Sequence, residues 1–596
     1  MDTLVRISKS GSGGGGGGGC GIVVLDSGTN SSVRCASSNC ASGNYSTSFG
    51  QCNTASSTNS TISGGYLNTN ASCYGTIGGG LCNNVGSGRA NAIATGEKNT
   101  ICGTSNQATI LSGICNLINN GSCSTIVDGE QNCITASRGF LGGGQLNSIS
   151  GLNSAIVGGS CNSVSGVCAF VGGGLCNSII PNVGVVGGGT RNVVCVGVDS
   201  AILGGCRNVT CGVGVTLGGG QLNLSRCANS FLGGGLQNCQ ISDFGALVGG
   251  CANKGFACSN FVGSGLGNTI CSFSGSILNG CLNSISICNN YSQIDGGFCN
   301  RITSDCSGLA SHSFIINGCC NGINSSCNNN HNVIENGFLN CINCSSNSKI
   351  SSSLQTCVIS SSLSSIRNSN GGLISSSGYS DLSGNLNQII DSQNTSVQGS
   401  CNVICSSTYS SASGYRNTLN NGDSSFLFGS DNCATAIGKY SITSGFKSFN
   451  NRYGQRVHSN YAFDNCVGSG QQIQAILYNT TTDDTPTELW LDGDSVTESI
   501  VLEADSTLQL NILTCGYCID GSIGSSQEYV IISNVGGTTS IVHQSNIKNY
   551  NTAGGIQITI QADDTNDKLQ VIVTGQSAKT FRWVSYVWGN EIVYKP

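Results

Sequence analysis

An asparagine that returns at a nearly constant interval constrains the fold of this chain more than any other feature. In the phrase "VGGSCNSVSG", residues 157–166, the Asn follows a glycine pair, and relatives of this phrase recur along most of the chain. The recurring positions, at steps of 15 and occasionally 16 or 17, are Asn53, Asn68, Asn83, Asn99, Asn116, Asn132, Asn147, Asn162, Asn177, Asn192, Asn208, Asn223, Asn238, Asn253, Asn268, Asn283 and Asn300. The step loosens over residues 300–340. A step of 15 returns at Asn387, Asn402, Asn417 and Asn432.

This repeat predicts an all-β chain built as a parallel β-roll or β-solenoid with about 15 residues per coil. Each repeat contains two short strands joined by turns, and Gly and Asn belong at the corners because they tolerate left-handed backbone. A constant period places identical residues above one another at about 4.8 Å. One inward file is predicted to contain Ile149, Val164, Ile179 and Val194. In the Ser-rich interval, a step of 15 relates Ile359, Ile374, Ile389 and Ile404.

The composition indicates that one such column is thin. Only 9% of the residues are charged, and the 89 glycines outnumber the 23 Lys and Arg and the 29 Asp and Glu together. Few apolar side chains per coil point inward, so a single chain buries little. Association of three chains around an axis would bury a second face and cover sheet edges. We therefore expect a homotrimer.

The repeats also resemble those of a known family. The phrase "SAIVGGSCNSVSG", residues 154–166, and its relatives are similar to the repeats of YadA-type trimeric adhesin heads, over about two thirds of the chain. That resemblance implies left-handed parallel β-rolls in which three chains pack side by side. Those adhesins carry a secretion signal and a membrane anchor, and we expect neither here.

The last 125 or so residues change character and predict a separate domain. All three Trp lie there, at Trp490, Trp583 and Trp588. Alternating runs such as "TLQLNIL", "IQITIQA" and "RWVSYVW" predict seven or more strands of an antiparallel β-sandwich. The expected division is an N-terminal attachment segment at 1–49, a solenoid shaft at 50–467 and a sandwich tip or trimerisation domain at 468–596.

Two stretches of this C-terminal domain resemble a β-domain found on tail fibres of tailed bacteriophages: residues 483–493, "DDTPTELWLDG", and residues 562–587. The resemblance implies a trimeric fibre tip or a folding cap. It leads us to expect a structural virion fibre, such as a tail fibre, that is assembled in the host cytoplasm and projects its tip towards the host cell. The expected partner of the tip is a host surface glycan or protein, contacted through exposed aromatics such as Trp588 or Tyr594.

The N-terminus suggests how such a fibre would be held. "MDTLVRIS", residues 1–8, alternates apolar and polar residues and could add as a strand to a virion or tail adaptor protein, with polyglycine after it. An alternative is a self-assembling extracellular filament or cell-surface adhesin subunit joined by insertion of this strand into the next copy.

The residues give little support for catalysis, so we expect no enzyme, no cofactor and no metal site. Cys515 and Cys518 form the one CxxC, and in a strand they would point to opposite faces. The four His lie singly along the chain. The acidic pairs at 483–484 and 563–564 lie beside turn residues, which favours solvated turn acids over a glycosidase pair.

Other function classes also lack their signals. Asp and Glu are scarce between residues 140 and 300, which disfavours a polysaccharide-degrading tailspike with its acids on the shaft. An ice-binding solenoid would need a file of exposed Thr-x-Thr, and the repeats quoted above contain none. A net charge of −6 without a basic cluster excludes ordinary nucleic-acid binding, and no apolar run is long enough for membrane insertion.

The 37 cysteines raise the question of disulfides. Cys161 and Cys176 each precede a ladder Asn and would lie one rung apart, within disulfide distance. They are a candidate inter-rung staple. Cys is also a small, soft side chain that packs well as a free thiol, and synthesis in a cytosol favours that state.

Overall fold

The computed structural model describes residues 23–34, 38–304, 312–324, 331–360, 362–463, 466–493 and 498–594. These residues form β-strands and turns, with no α-helix among them, which confirms the predicted all-β class. The chain divides into two compact units, Met1–Ile287 and Cys288–Pro596. The predicted strand at residues 1–8 and the polyglycine lie outside the described residues.

The first unit is a parallel β-solenoid. Each turn contributes two strands, one to each of two series. The short strand Val23–Leu25 pairs antiparallel with the first strand of the first series. That series contains Ser32–Arg34, Thr47–Ser48, Thr61–Ile62, Thr76–Ile77, Ala92–Ile93, Thr109–Ile110, Thr125–Ile126, Phe140–Leu141, Ala155–Ile156, Phe170–Val171, Val185–Val186, Ala201–Ile202, Thr216–Leu217, Phe231–Leu232, Ala246–Leu247, Phe261–Val262 and Ser276–Ile277. The second contains Cys40–Ala41, Thr54–Ala55, Thr69–Asn70, Asn84–Val85, Thr100–Cys102, Leu117–Asn119, Cys133–Ile134, Ser148–Ile149, Ser163–Val164, Ser178–Ile179, Val193–Val196, Val209–Cys211, Leu224–Ser225, Cys239–Gln240, Lys254–Gly255, Thr269–Ile270 and Ser284–Ile285.

The strands of each series pair in parallel with the next turn, which confirms the predicted stacking. Ile149, Val164, Ile179 and Val194 are direct register partners and are fully buried. Parallel pairing already begins between Ser32–Arg34 and Thr47–Ser48, so the solenoid starts before the predicted residue 50.

The ladder asparagines hold one corner of each turn of this unit from Asn53 to Asn283. The Asn162 backbone N–H donates to Oδ1 of Asn147 at 3.0 Å, and Asn162 Oδ1 accepts from the N–H of Asn177 at 3.0 Å. Asn162 Nδ2 donates to the carbonyls of Gly158 and Gly174 at 3.1 and 3.0 Å. Buried amides satisfied in this way stabilise the corner, because an unpaired buried polar group is unfavourable. The same backbone bond is made along the set of Asn147, Asn162, Asn177, Asn192, Asn208, Asn223, Asn238, Asn253, Asn268 and Asn283, all at most 1% exposed.

The left-handed residue at this corner differs from the expected one. The ladder Asn does not adopt positive φ; the residue before it does, as at Cys161 with φ of 57°. The glycine three residues before the Asn is also left-handed, and a Cβ on Gly159 would lie 2.2 Å from the carbonyl oxygen of Gly174. Glycine is therefore required there by close approach of the next turn, whereas Asn is required for its side-chain bonds.

The second unit opens with the same solenoid. Its first series contains Gln293–Ile294, Phe314–Ile316, Val333–Phe338, Lys349–Leu354, Ser365–Arg367, Asp381–Asn385, Ser396–Ser400, Ser411–Tyr415, Phe426–Ser430, Ile442–Phe446 and Arg456–Ser459. The second contains Arg301–Thr303, Gly322–Asn324, Cys341–Asn343, Cys357–Ile359, Leu373–Ser375, Gln388–Ile390, Val403–Cys405, Thr418–Asn420, Cys433–Ala434 and Phe449–Asn450.

Two irregular stretches in this unit are explained by register. Where the spacing loosens, the ladder continues from Asn300 to Asn321, which are 21 residues apart. In the Ser-rich interval the predicted file is wrong by one position at its start: Val358 pairs with Ile374 and is fully buried, whereas Ile359 pairs with Ser375. Val358 and Ile374 are 16 residues apart, one more than the regular 15. The inward-facing residue of that turn is therefore residue 358 and not residue 359.

The C-terminal region is an antiparallel two-sheet sandwich. Its large sheet has the strand order Arg456–Ser459, Gly470–Thr481, Phe581–Val593, Ser506–Cys518, Ile523–Val535 and Thr538–Asn551. In the small sheet Lys568–Thr574 pairs with Gln557–Asp563, Thr487–Glu488 and Ile500–Val501. The first strand of the large sheet is also the last parallel strand of the solenoid. The sheet therefore continues from the solenoid into the sandwich.

The sandwich has a wider apolar core than the narrow buried files of the solenoid. Side chains of both sheets meet there, including Leu510, Val530, Val571 and Trp583, each at most 1% exposed. A buried ion pair lies beside this core: Arg452, which follows the last second-series strand, donates to Glu591 through both terminal nitrogens, and both side chains are 2% exposed. The Arg452 Nε also donates to the Val501 carbonyl at 2.8 Å.

Candidate binding surfaces

The structure separates the cysteines into a few close pairs and many free thiols. Cys161 and Cys176, the candidate staple, are both free. A rung-to-rung disulfide does form between Cys195 and Cys211, 16 residues apart, with Cα atoms at 5.1 Å. Both ends of that bond lie within second-series strands, and Cys195 stands where the strand register shifts between Val194 and Val196. The Cys161 position instead lies at the left-handed corner.

One further pair of thiols lies in direct register. Cys341 and Cys357 are parallel partners on adjacent turns, and their side chains are hydrogen-bonded. The Cys357 thiol lowers the pKa of Cys341 to about 7, while the same bond together with burial raises the pKa of Cys357. Cys341 is therefore more readily deprotonated than Cys357 near neutral pH, and the thiolate is the reactive form.

The cysteines and acidic residues that were weighed as catalytic candidates do not form a common site. Cys515 is exposed and Cys518 is buried, on opposite faces of one strand as expected. Asp483 accepts the N–H of Thr485 at 2.8 Å, and this backbone bond lowers the Asp483 pKa, as is typical of a turn acid. Within the described part of the chain, no three His, Cys, Asp or Glu side chains lie close enough to hold a metal ion.

Two of the four His come together, against the expectation that each is isolated. The rings of His312 and His331 stack with centroids 4.9 Å apart, and Tyr291 stacks on His312 at 5.3 Å. Successive turns bring these rings into contact although they are not neighbours in the sequence. The other two, His458 and His543, lie in the C-terminal sheet.

An uncharged apolar surface runs along ten turns of the first unit; we call it the Phe face. It consists of the first residue of each first-series strand from Phe140–Leu141 to Ser276–Ile277 and of the residue two places later. The first positions are Phe140, Ala155, Phe170, Val185, Ala201, Thr216, Phe231, Ala246, Phe261 and Ser276. The later positions are Gly142, Val157, Gly172, Gly187, Leu203, Gly218, Gly233, Val248, Gly263 and Leu278. None of these positions is charged.

Side-chain sizes on the Phe face compensate within each turn. Every Phe is followed by Gly, and every Ala by Val or Leu, so each of these turns projects one large side chain. The Phe170 ring lies beside Gly172, whose Cβ would be 3.6 Å from the ring. The large side chains remain 37% to 60% exposed. Ten turns at about 4.8 Å make a surface about 45 Å long and on the order of 450 Å², a size typical of the largest apolar patch on a protein, which is often a functional surface.

A second repeating surface, of mixed polarity with several exposed leucines, lies at the ladder corner; we call it the Leu face. It contains the bridge residue and the left-handed residue that precede each ladder Asn, from 145–146 to 281–282. Its exposed leucines are Leu146, Leu175, Leu222, Leu236, Leu266 and Leu282, at 39% to 51% exposure. Arg191 and Arg207 are its charged members. Like the Phe face, it repeats once per turn.

The C-terminal sheet carries a polar row on its outer side. His458, Gln472, Asn590 and Gln509 lie directly opposite one another on four adjacent antiparallel strands, and all four are exposed. Neighbouring side chains in such a row begin about 5 Å apart, so the row spans about 15 Å.

Two exposed aromatic residues stand beside this row. Tyr461 is 70% exposed, Phe463 is 53% exposed, and their rings meet edge to face at 6.4 Å. The Phe463 ring covers Gly470, where a Cβ would lie 2.8 Å from the ring. Row and rings line an open cleft of about 360 Å³. We call it the amide cleft.

Other aromatic residues of the tip divide into exposed and packed ones. Tyr594 is 70% exposed, and Trp588 stacks on Tyr586 with centroids 5.0 Å apart on the outer side of the large sheet. Trp583 is buried and donates from Nε1 to Thr481 Oγ1 at 3.0 Å. Both residues suggested for sugar stacking are thus accessible to some degree, but neither lines the amide cleft.

The repeat does contain a signal for the Phe face that the sequence analysis missed. The alternation of Phe-x-Gly with Ala-x-Val or Ala-x-Leu is visible between residues 140 and 278. The amide cleft has no comparable signal, because its residues come from positions 458 to 592 and meet only through strand pairing. No described helix is long and apolar enough to cross a membrane.

Comparison with known proteins yields weak neighbours only. No family model matches the chain, and no curated protein matches it. Among solved structures, the tailspike protein of an Acinetobacter phage is similar at 9% identity and a TM-score of 0.18, over 71% of this chain and 82% of that one. A tailspike of Acinetobacter baumannii bacteriophage Fri1, a capsular polysaccharide depolymerase, is similar at 8% identity and a TM-score of 0.18, over 77% and 80%. Similarity at this level carries no argument about activity.

Proposed function

We propose that this protein is a structural fibre subunit that assembles as a homotrimer through its solenoid and presents its C-terminal domain to a host cell surface. The observation that carries the proposal is the uncharged, size-compensated Phe face. A surface that repeats once per turn fits best against another surface of the same rise, and a second copy of this chain supplies one.

The Phe face and the Leu face supply the two sides of such an interface. In a closed ring of three, the Phe face of one copy packs on the Leu face of the next, which makes a heterologous contact with threefold closure. Each face is on the order of 450 Å² over ten turns, so one contact between two copies buries about 900 Å² in total over these turns. The other turns of the solenoid would supply the rest of the roughly 1,600 Å² of a standard interface. This arrangement is that of the trimeric adhesin heads that the repeats resemble.

The placement on a virion rests on the C-terminal resemblance to tail-fibre domains. In this proposal the chain performs no catalytic step; three tips on one shaft raise the effective affinity for a repetitive cell surface. The N-terminal segment holds the fibre to an adaptor protein. A shaft, an adhesive end and an attachment end together define the fibre.

The test is the molar mass of the full-length protein by light scattering at several concentrations. We expect three times the chain mass of 60.6 kDa. The double variant Phe170→Asp/Phe231→Asp places two charges on the Phe face and should dissociate the trimer at concentrations at least tenfold higher than the unmodified protein. Phe244→Asp is the matched control, because Phe244 is 67% exposed and lies outside both faces.

Three results would overturn the proposal. A monomeric unmodified protein would leave the faces without a second copy. Polymers that grow with concentration would favour a head-to-tail filament instead of a closed trimer. A trimer that the double variant leaves intact would show that the Phe face is not the interface.

A further inference from the structure

We propose that the amide cleft of the C-terminal domain binds an uncharged oligosaccharide. This inference rests on the proposed function, in which that domain faces the host cell, and it names the site and the ligand class. The cleft is formed by the polar row of His458, Gln472, Asn590 and Gln509 and by the rings of Tyr461 and Phe463.

The row offers hydrogen-bonding groups that the protein itself does not use. Within the described residues, the side-chain amides of Gln472 and Asn590 make no hydrogen bond, and both are exposed. Each amide presents two donors and one carbonyl acceptor in a plane. Adjacent sugar hydroxyls both donate and accept, so a row of amides about 5 Å apart matches them better than a row of single-function groups.

The residues beneath the row hold it in place. Gln471 and Glu591 precede and follow row residues in the chain but point inward, and Gln471 Nε2 donates to Glu591 Oε2 at 2.7 Å. Gln471 also exchanges two hydrogen bonds of 2.9 Å with the backbone of Phe449. The strands that carry the row are therefore rigid before a ligand arrives, which reduces the entropy lost on binding.

At the end of the row, His458 is held on both ring nitrogens. Its Nδ1 lies 3.0 Å from Ser444 Oγ, and its Nε2 lies 2.9 Å from Asn460 Oδ1. At the other end Gln509 Nε2 donates to the Tyr529 hydroxyl. These bonds orient the two outer members, so the free amides of the row lie between two fixed neighbours.

The charge of the cleft selects among ligands. No Lys or Arg is found among the described residues that line it, and its one carboxylate, Glu591, is buried and paired with Arg452. Phosphates, sulfates and sugar carboxylates would therefore find no cation, and nucleic acid is disfavoured for the same reason. An uncharged ligand with many hydroxyls remains.

The aromatic residues and the volume fit the same ligand. Tyr461 and Phe463 expose amphipathic and apolar ring surface beside polar groups, a combination that suits the apolar faces and polar rims of sugar rings. A cleft of about 360 Å³ falls at the lower end of the range for small-molecule sites. This size indicates a short segment of a glycan and not a folded protein.

The experiment uses the full-length protein on a printed array of neutral hexose and N-acetylhexosamine oligosaccharides, sialylated and uronic-acid oligosaccharides, and peptides. The neutral oligosaccharide with the strongest signal is then titrated calorimetrically. Asn590→Ala and Tyr461→Ala should each weaken that binding at least tenfold. The matched controls are Asn546→Ala and Tyr550→Ala, which remove exposed side chains of the same kinds from the edge strand of the same sheet.

The outcomes separate this inference from the proposed fibre. Light scattering on the same samples reports whether the protein and its variants are trimeric, and unchanged thermal unfolding shows that the variants are folded. A trimer that binds neutral glycans through the cleft supports both proposals, and a monomer that does so overturns only the fibre. A trimer that binds nothing, binds only acidic glycans or peptides, or binds equally after both cleft substitutions overturns the amide cleft.

Discussion

The solenoid and the C-terminal sandwich satisfy their buried polar groups over very different distances along the chain. In the solenoid, Asn162 finds its partners within 15 residues on either side. In the sandwich, Arg452 pairs with Glu591 across 139 residues, and Trp583 donates to Thr481 across 102. The stability of the solenoid is therefore a sum of contributions from individual turns and from contacts between neighbouring turns. The sandwich, in contrast, forms only when distant segments of the chain meet.

The two regions also bury their apolar side chains differently. Most strands of the first unit are two residues long and bury one side chain each, as at Ala155–Ile156. Strands of the large C-terminal sheet reach 14 residues, and two sheets share one core. Damage to a turn should thus stay near that turn, while damage beside the sandwich core should be felt by the whole domain.

The largest expected effect is at the buried ion pair. Arg452→Ala leaves the Glu591 carboxylate buried without its partner and should lower the free energy of unfolding of the C-terminal domain by about 3–5 kcal/mol. All three Trp lie in that domain, so urea unfolding followed by Trp fluorescence reports it. Lys579→Ala is the control, because Lys579 lies in the same domain and is 37% exposed in its pair with Asp520, and exposed pairs contribute about 0–1 kcal/mol. Equal losses in both variants would contradict the assignment.

A ladder substitution should have a smaller and local effect. Asn162→Ala removes the acceptor of the Asn177 N–H and the donor to two glycine carbonyls, which should cost about 2–3 kcal/mol. Hydrogen exchange should show faster exchange in the adjoining turns only, with the Trp-monitored unfolding unchanged. The exposed amide variant Gln145→Ala should change stability by less than about 0.5 kcal/mol. Loss of protection along the entire solenoid would show that its turns are not independent.

The pair Cys341 and Cys357 tests whether a residue in one turn affects its neighbour in the next turn, with thiol reactivity as the measured property. Alkylation requires the thiolate, so the labelling rate of Cys341 should rise as pH passes about 7. Cys133 occupies the corresponding first position of a second-series strand, but burial raises its pKa, and its labelling should need higher pH. Mass spectrometry after brief iodoacetamide treatment from pH 6 to 9 measures both. Cys357→Ala removes the thiol one turn away and should move the Cys341 midpoint upward; an unmoved midpoint would refute the pairing.

The smallest expected effect is at a left-handed corner. Cys161 adopts φ of 57°, a conformation that glycine accepts more readily, so Cys161→Gly should stabilise the solenoid by about 0.5 kcal/mol despite the greater freedom of unfolded glycine. Ser163→Gly, two residues later in a strand, should instead destabilise it by about 0.5–1 kcal/mol. Thermal unfolding of both variants gives the comparison. Destabilisation of similar size at both positions would mean that the corner is not strained.

Much of the solenoid was predictable because its contacts repeat at one distance in the sequence. The ladder positions and the buried file through Val164 follow from the period alone. The prediction failed where the period changed, at Ile359, because a turn that is longer by one position is invisible among many serines. The sequence also led us to expect left-handed backbone at the ladder Asn, whereas the residue before it adopts that conformation. Residue preferences alone do not show which of two adjacent residues takes the left-handed position.

The C-terminal strands were predictable from alternation, but their pairing was not. The strand Gly470–Thr481 supplies Gln472 to the polar row. The row unites residues 458, 472, 509 and 590, whose spacing in the sequence carries no pattern. Cysteine pairing behaved likewise: Cys195 and Cys211 are bonded, while the regular pair at Cys161 and Cys176 stays free.

Sequence alone determines the repeating turn, the identity of the ladder and the existence of a distinct β-rich C-terminus, because each of these depends on residues close together in the chain. Tertiary structure decides which side chains face outward along ten turns, which cysteines meet, and how four strands assemble the amide cleft. The physical reason is strand pairing: a contact set by register can join residues more than 100 positions apart, and only the folded sheet specifies that register.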